Sequence, residues 1–174
     1  MSHPKVLFLC TGNSCRSQMA EGFARALRTG DFESFSAGTQ PRQPDPYAIR
    51  VMQEIGIDIS GRCSKGIDSL NSRFFDLTVT VCSHAHDTCP KPPAGSRILH
   101  QPFDDPPVLT ASFTDDEVIM SVYRRVRNEI RDFVMKLEVL LPKPVAATVD
   151  SSSAEPCWGC ADELPKSSGQ VQHA

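Results

Sequence analysis

The 174-residue chain is long enough for one domain with a real core and short for two. With 40% apolar and 22% charged residues it has the composition of a soluble globular protein, and a formal charge of −3 gives no reason to expect nucleic acid as a partner. No apolar run approaches the ~20 residues of a membrane span, and "MSHPKVLFLC" lacks the apolar length and cleavage site of a signal peptide, so no membrane partner is expected and the chain is assigned to the cytoplasm.

Lys5–Cys10 reads as a short, continuously apolar strand of the kind buried on both faces of a parallel sheet. Residues 17–27 follow as a helix whose apolar face carries Met19, Phe23 and Leu27. A second strand is predicted over 32–37, then a proline-rich loop, "AGTQPRQPDP". Residues 47–55 form an amphipathic helix with Ile49, Met52 and Ile55 on one side, closed by Gly56. The β-branched run "LTVTVC" over 77–82 is a third strand, with a weaker fourth at 97–100. A long helix spans 114 to about 140. Its expected capping box is Thr114 with Glu117, and its expected stripe is Val118, Val122, Val126, Ile130, Phe133 and Leu137. Arg124, Arg125, Arg127 and Arg131 are read as its solvated face. Strands alternating with helices predict an α/β fold, a single domain over 1–141 with a four-stranded parallel sheet flanked by helices. From Pro142 the composition turns to proline and serine, which predicts a flexible tail over 142–174 carrying Cys157-Trp158-Gly159-Cys160.

Seven cysteines, an odd number in a chain not expected to be secreted, argue against a disulfide framework and for metal binding or thiol chemistry. Cys63 reads as a buried small hydrophobe. Position says more about Cys10. "CTGNSCRS" joins a strand to a helix, where free N–H groups and the macrodipole bind anions. Gly12, Asn13 and Ser14 let the loop curl so that its amides point inward. Arg16 adds a planar fork for two oxygens of a tetrahedral oxyanion. Cys10 is expected as thiolate in that field, with Ser17 donating to its sulfur. Thr11, Gly12, Asn13, Ser14, Cys15, Arg16 and Ser17 are therefore the expected substrate-binding loop. It is not a nucleotide loop, since no Gly-Lys-Ser/Thr follows.

C-x5-R-S after a first strand resembles the low-molecular-weight tyrosine phosphatase fold, which implies an acid, usually Asp-Pro, late in the chain. "QPFDDPP" supplies Asp105-Pro106. "VCSHAHDTCP" adds Cys82 at the same sheet edge as Cys10, and Cys89 seven residues on. A phosphatase needs one cysteine and water, whereas three thiols suit a disulfide relay. A zinc site from Cys82, His84, His86 and Cys89 is tight for tetrahedral geometry, and no metal is expected there.

"FLCTGNSCRSQMAEGFA", "SAGT", "IGIDIS", "VTVCSHAHDTCP", "FDDP" and "YRRVRNEI" together resemble the thioredoxin-coupled arsenate reductase family over roughly 5–135. The resemblance implies an enzyme of arsenic detoxification that takes arsenate as substrate and thioredoxin as electron donor, works as a monomer and needs no cofactor. It implies that Cys10 attacks arsenic held by the loop and Arg16, Asp105 protonates the departing oxygen, and Cys82 and then Cys89 carry the disulfide outward. Cys15 is implied to be a loop residue outside the relay. Some members hold potassium behind the loop through the positions of Asn13, Glu21, Ser36 and an aspartate. This chain has Lys65 at the last position, so no cation is expected. The tail pair Cys157 and Cys160 reads as a lineage-specific extension or as an accessory redox pair. The alternatives are a low-molecular-weight tyrosine phosphatase and, outside enzymes, a redox- or metal-responsive binding module.

Overall fold

The computed structural model describes residues 3–70, 74–88 and 96–141, without the side chains of 86–88. Four strands, β1 (Lys5–Cys10), β2 (Glu33–Gly38), β3 (Leu77–Thr80) and β4 (Arg97–His100), form one parallel sheet in the order β2-β1-β3-β4. The helices are α1 (Arg16–Leu27), α2 (Pro46–Gln53), α3 (Ser83–Thr88), α4 (Pro106–Leu109) and α5 (Asp116–Lys136). The alternation of strand and helix thus produces the parallel α/β sheet expected of it.

β1 lies between two strands, and Val6, Leu7, Phe8 and Leu9 are fully buried, which is why its sequence is apolar without alternation. Each large side chain so buried contributes about 1.5–3 kcal/mol of hydrophobic stabilisation. α1 packs on β1, β2 and α5, and α5 also packs on α2. Because β2 flanks β1 on one side and β3 on the other, the order switches at the carboxyl end of β1, where open sheets of this kind form their ligand crevice.

Helix ends follow local chemistry. Asp45 caps α2 by accepting from the Tyr47 and Ala48 amides. At its other end Ile57 N–H bonds to Met52 O at 3.0 Å and Gly56 N–H to Gln53 O at 3.0 Å, with Gly56 at φ 77°. That paired geometry is a Schellman closure, in which glycine alone avoids a Cβ penalty.

Four details of the sequence reading are corrected. The cap of α5 is Asp115, which accepts from the Glu117 and Val118 amides, so Thr114 lies outside the helix. Its buried stripe runs through Ile119, Tyr123, Val126, Ile130 and Val134, while Val118 is exposed. Arg127 is buried and donates to Val51 O at 2.7 Å, because α2 packs over that turn. β3 ends at Thr80, so Cys82 stands just beyond the strand, where α3 begins.

Candidate active site

Residues 10–15 connect β1 to α1, and every carbonyl in that loop is turned away from its centre. The amides of Thr39, Gln40, Arg42 and Asp45 donate to the carbonyls of Cys10, Thr11, Gly12 and Ser14 at 3.2, 2.8, 2.9 and 3.0 Å. Gln18 Nε2 and Ser64 Oγ donate to Asn13 O at 3.0 and 2.6 Å, and Met19 N–H takes Cys15 O at 2.9 Å. With its acceptors satisfied from outside, the loop presents N–H groups inward beside the first turn of α1, which is the electrostatics of an oxyanion cradle. Gly38 makes the close approach achievable. A Cβ there would sit 2.6 Å from Thr11 O and 2.8 Å from Asn13 N.

Asn13 lies at φ 46°, a left-handed turn that asparagine tolerates. Its side chain is fully buried and fully bonded: Nδ2 donates to Ser17 Oγ and Ser36 Oγ at 2.9 Å each, and Oδ1 accepts the Lys65 amide at 2.7 Å. The turn aims the Asn13 N–H at Cys10 Sγ, 3.0 Å away. Ser17 Oγ lies 2.8 Å from the same sulfur. Since that oxygen already accepts from Asn13, its own proton is available to the sulfur.

The ionisation of Cys10 departs from the sequence expectation. Burial pushes its thiol above the usual cysteine range, more strongly than the Ser17 hydroxyl and the Asn13 amide pull it down, and neighbouring Cys82 adds to the rise. The guanidinium expected to offset this is engaged elsewhere. Arg16 Nη2 bonds to Asp105 Oδ2 at 2.7 Å and Nη1 to Phe103 O at 3.0 Å. Asp105 reaches the loop because Phe103 N–H pairs with Val81 O at 3.1 Å, carrying the chain after β4 across the end of β3.

Cys82 is buried at the same sheet edge, its sulfur 3.4 Å from Thr11 Oγ1 and 3.4 Å from the Ala85 amide. Cys15 is buried too, and burial reinforced by Asp45 pushes its thiol well above the cysteine range. Cys63, expected inside, is exposed, though its carbonyl accepts from Gln18 Nε2 at 3.2 Å. Loop residues 11–17, Cys10, Cys82, Arg16 and Asp105 are thus brought together. Cys89, Cys157, Cys160 and the whole of 142–174 lie outside the described residues.

Beneath the loop the polar chain continues from Asn13 through Ser36, whose hydroxyl donates to Glu21 Oε2. Glu21 is buried, paired with Arg25 at 2.7 Å, and has Arg62 and Lys65 at 3.7 Å. Three cations among the described residues already face this carboxylate, the Lys65 ammonium one of them. A potassium ion does not fit that donor set.

Sequence reading missed the segment 39–45 as part of the site. Its contribution is backbone amides, to which side-chain identity gives no signal. It also missed Asp45, whose carboxylate accepts from Tyr123 Oη at 2.8 Å while its amide holds Ser14 O, tying α5 and α2 to the loop. Only "SAGT", quoted for its resemblance, pointed at Gly38.

Comparison with known proteins gives the geometry its context. Residues 5–101 match the family model described as low molecular weight phosphotyrosine protein phosphatase. An arsenate reductase of Halalkalibacterium halodurans is 45% identical over 130 residues, covering 75% of this chain and 91% of that protein. The solved structure of an arsenate reductase in the reduced state superposes with a TM-score of 0.62 at 33% identity, covering 80% of this chain and 99% of that one. A low molecular weight protein tyrosine phosphatase from T. tengcongensis superposes with a TM-score of 0.61 at 28% identity, covering 79% and 99%.

Proposed function

The chain belongs with the arsenate reductases of the low molecular weight phosphotyrosine protein phosphatase family, and from that premise we propose that it reduces arsenate to arsenite by a three-cysteine relay, with thioredoxin as the electron donor. Among the described residues no helix is long and apolar enough to cross a membrane. The reading adds a cytoplasmic monomer to this.

Arsenate enters the cradle of N–H groups and competes with the Asp105 carboxylate for Arg16. Drawing that guanidinium into the loop supplies positive charge beside Cys10, which with the Asn13 amide and Ser17 hydroxyl favours the thiolate over the thiol. Cys10 sulfur then bonds to arsenic while the proton the thiol gives up passes through the released Asp105 carboxylate to one oxygen, which leaves as water. Cys82 sulfur attacks Cys10, the S–As electron pair stays on arsenic, and arsenite departs from a Cys10–Cys82 disulfide. Cys89 exchanges with Cys82, freeing the Cys10 thiolate, and the Cys82–Cys89 disulfide takes two electrons from the thioredoxin dithiol.

One observation carries this reading over its alternative. A buried second thiol, Cys82, stands against Thr11, the neighbour of Cys10, at the switch point of the sheet. Phosphate ester hydrolysis has no use for it. The phosphatase alternative draws on the same loop and Asp105, and it predicts full activity after Cys89→Ser.

The test is arsenate-dependent NADPH oxidation with thioredoxin and thioredoxin reductase. Turnover with the native chain and none with Cys82→Ser or Cys89→Ser is expected. No oxidation, with phosphate released from an aryl phosphate, overturns the reading. Repeated on a chain ending at Leu141, an unchanged rate removes Cys157 and Cys160 from any accessory relay.

A further inference from the structure

The segment that turns the loop carbonyls outward carries one side chain with no assigned role. Arg42 N–H bonds to Gly12 O at 2.9 Å, which fixes its Cα at the rim of the loop. Its Cγ and Cδ stand 3.7 Å from where a Cβ on Gly12 would lie, so the aliphatic stem crosses the glycine and the guanidinium begins beside the cradle. Pro41, the preceding residue, packs toward Gly66, with its Cγ 3.5 Å from a Cβ built there, which restrains the segment from the other side.

The charge on Arg42 also has no partner among the described residues. Among the described residues, every other arginine is held: by a carboxylate in nine cases, and by the Leu140 carbonyl for Arg97. Arg42 is exposed, and no described carboxylate or carbonyl takes its guanidinium. In a chain of net charge −3, a cation at the rim of an anion cradle with no partner among the described residues is an uncommitted attraction for an incoming oxyanion. Arg16, deeper in the loop, is occupied by Asp105 and Phe103 O.

We propose that Arg42 is a second cationic contact for the tetrahedral oxyanion, taking it at the rim before and while it displaces Asp105 from Arg16. The proposal deepens the arsenate reading and rests on it for the identity of the anion. Because the contact is made as the anion binds, and persists in the bound state, it acts on affinity. Arg16 and Asp105 act on the chemical step.

Two variants separate charge from stem. Arg42→Met keeps an unbranched aliphatic stem over Gly12 and loses the charge, while Arg42→Lys keeps the charge. Inorganic phosphate is titrated calorimetrically into the full reduced chain, and arsenate kinetics are measured in parallel at two ionic strengths. Arg42→Met is expected to raise the phosphate Kd and the arsenate KM about threefold to tenfold, the worth of a partly exposed charge contact, with kcat within about twofold. It should also flatten the rise of KM with salt. Arg42→Lys is expected to recover most of the loss. A phosphate Kd for Arg42→Met equal to that of the native chain overturns the proposal, as does a loss confined to kcat. If the native chain fails to turn over arsenate, the functional reading falls while the phosphate titration still decides the role of Arg42.

Discussion

Asn13 shows how much of the site rests on single side chains. It accepts a left-handed backbone, bonds through both ends of its amide, and so points its own N–H at the Cys10 sulfur. The residue type was legible as one that lets a loop curl. Its side-chain bonds to Ser36 and Lys65 were not, because both arrive from distant parts of the chain and only the family resemblance grouped them with Asn13. Cys15 carries the residue-scale prediction. Its thiol, like that of Cys10, is pushed above the ordinary range by burial, so the folded state holds these protons more tightly than the unfolded chain. Below about pH 8.5, the ordinary thiol pKa, both states are protonated and the contribution is fully present. As pH rises beyond that, the unfolded thiols ionise first and stability is lost, by up to about 1.4 kcal/mol per pH unit for each group. Thermal midpoints of the reduced protein are therefore expected to fall above about pH 9, and less steeply for Cys15→Ala. Parallel curves for the two proteins would remove Cys15 from this account.

Among the elements, β1 and β3 were legible because burial on both faces leaves apolar runs that need no partner to be recognised, as in Val6 to Leu9, whereas β4 is largely exposed and read only weakly. The ends of α5 were less so. Thr114, Asp115 and Asp116 all have capping side chains, and only the geometry of the chain entering the helix selects Asp115. The stripe held at Val126, Ile130 and Leu137 and was misread at its start, where Val118 and Val122 stand beside the buried Ile119 and Tyr123, while Arg127 hides its charge against Val51 O and Glu54. The segment joining β2 to α2 read as a proline-rich loop, yet its amides hold the carbonyls of the Cys10 loop. Gly38 is where that dependence can be measured. A methyl group there meets the Thr11 carbonyl at 2.6 Å, backbone that cannot swing aside, so Gly38→Ala must shift the loop or β2. The expected cost is about 1–3 kcal/mol in denaturant unfolding, with arsenate kcat/KM falling at least about tenfold. Gly30→Ala, where no atom lies within 4 Å, serves as the control expected to change neither. Equal behaviour of the two variants would mean that the loop does not depend on contact with Gly38.

For the molecule as a whole, the sheet order is what joins the two chemistries. β1 delivers Cys10 between β2, whose continuation positions the loop amides, and β3, whose end delivers Cys82. Alternating elements made a parallel sheet predictable, and the spacing of Cys10 to Arg16 made the cradle predictable. The ion pair of Arg16 with Asp105, and the burial that pushes the Cys10 thiol up, depend on long-range packing that no local pattern encodes. In the proposed relay an oxyanion competes for Arg16 before Cys10 attacks, and Cys82, beside it, takes the second step. A single turnover tests this sequence most directly. The Cys89→Ser chain, fully reduced, is mixed with one equivalent of arsenate, arsenite is quantified, and disulfides are mapped by mass spectrometry. The account predicts close to one arsenite per chain and a disulfide joining Cys10 to Cys82. Intact thiols at both positions and no arsenite, in a protein that still releases phosphate from an aryl phosphate, would contradict it.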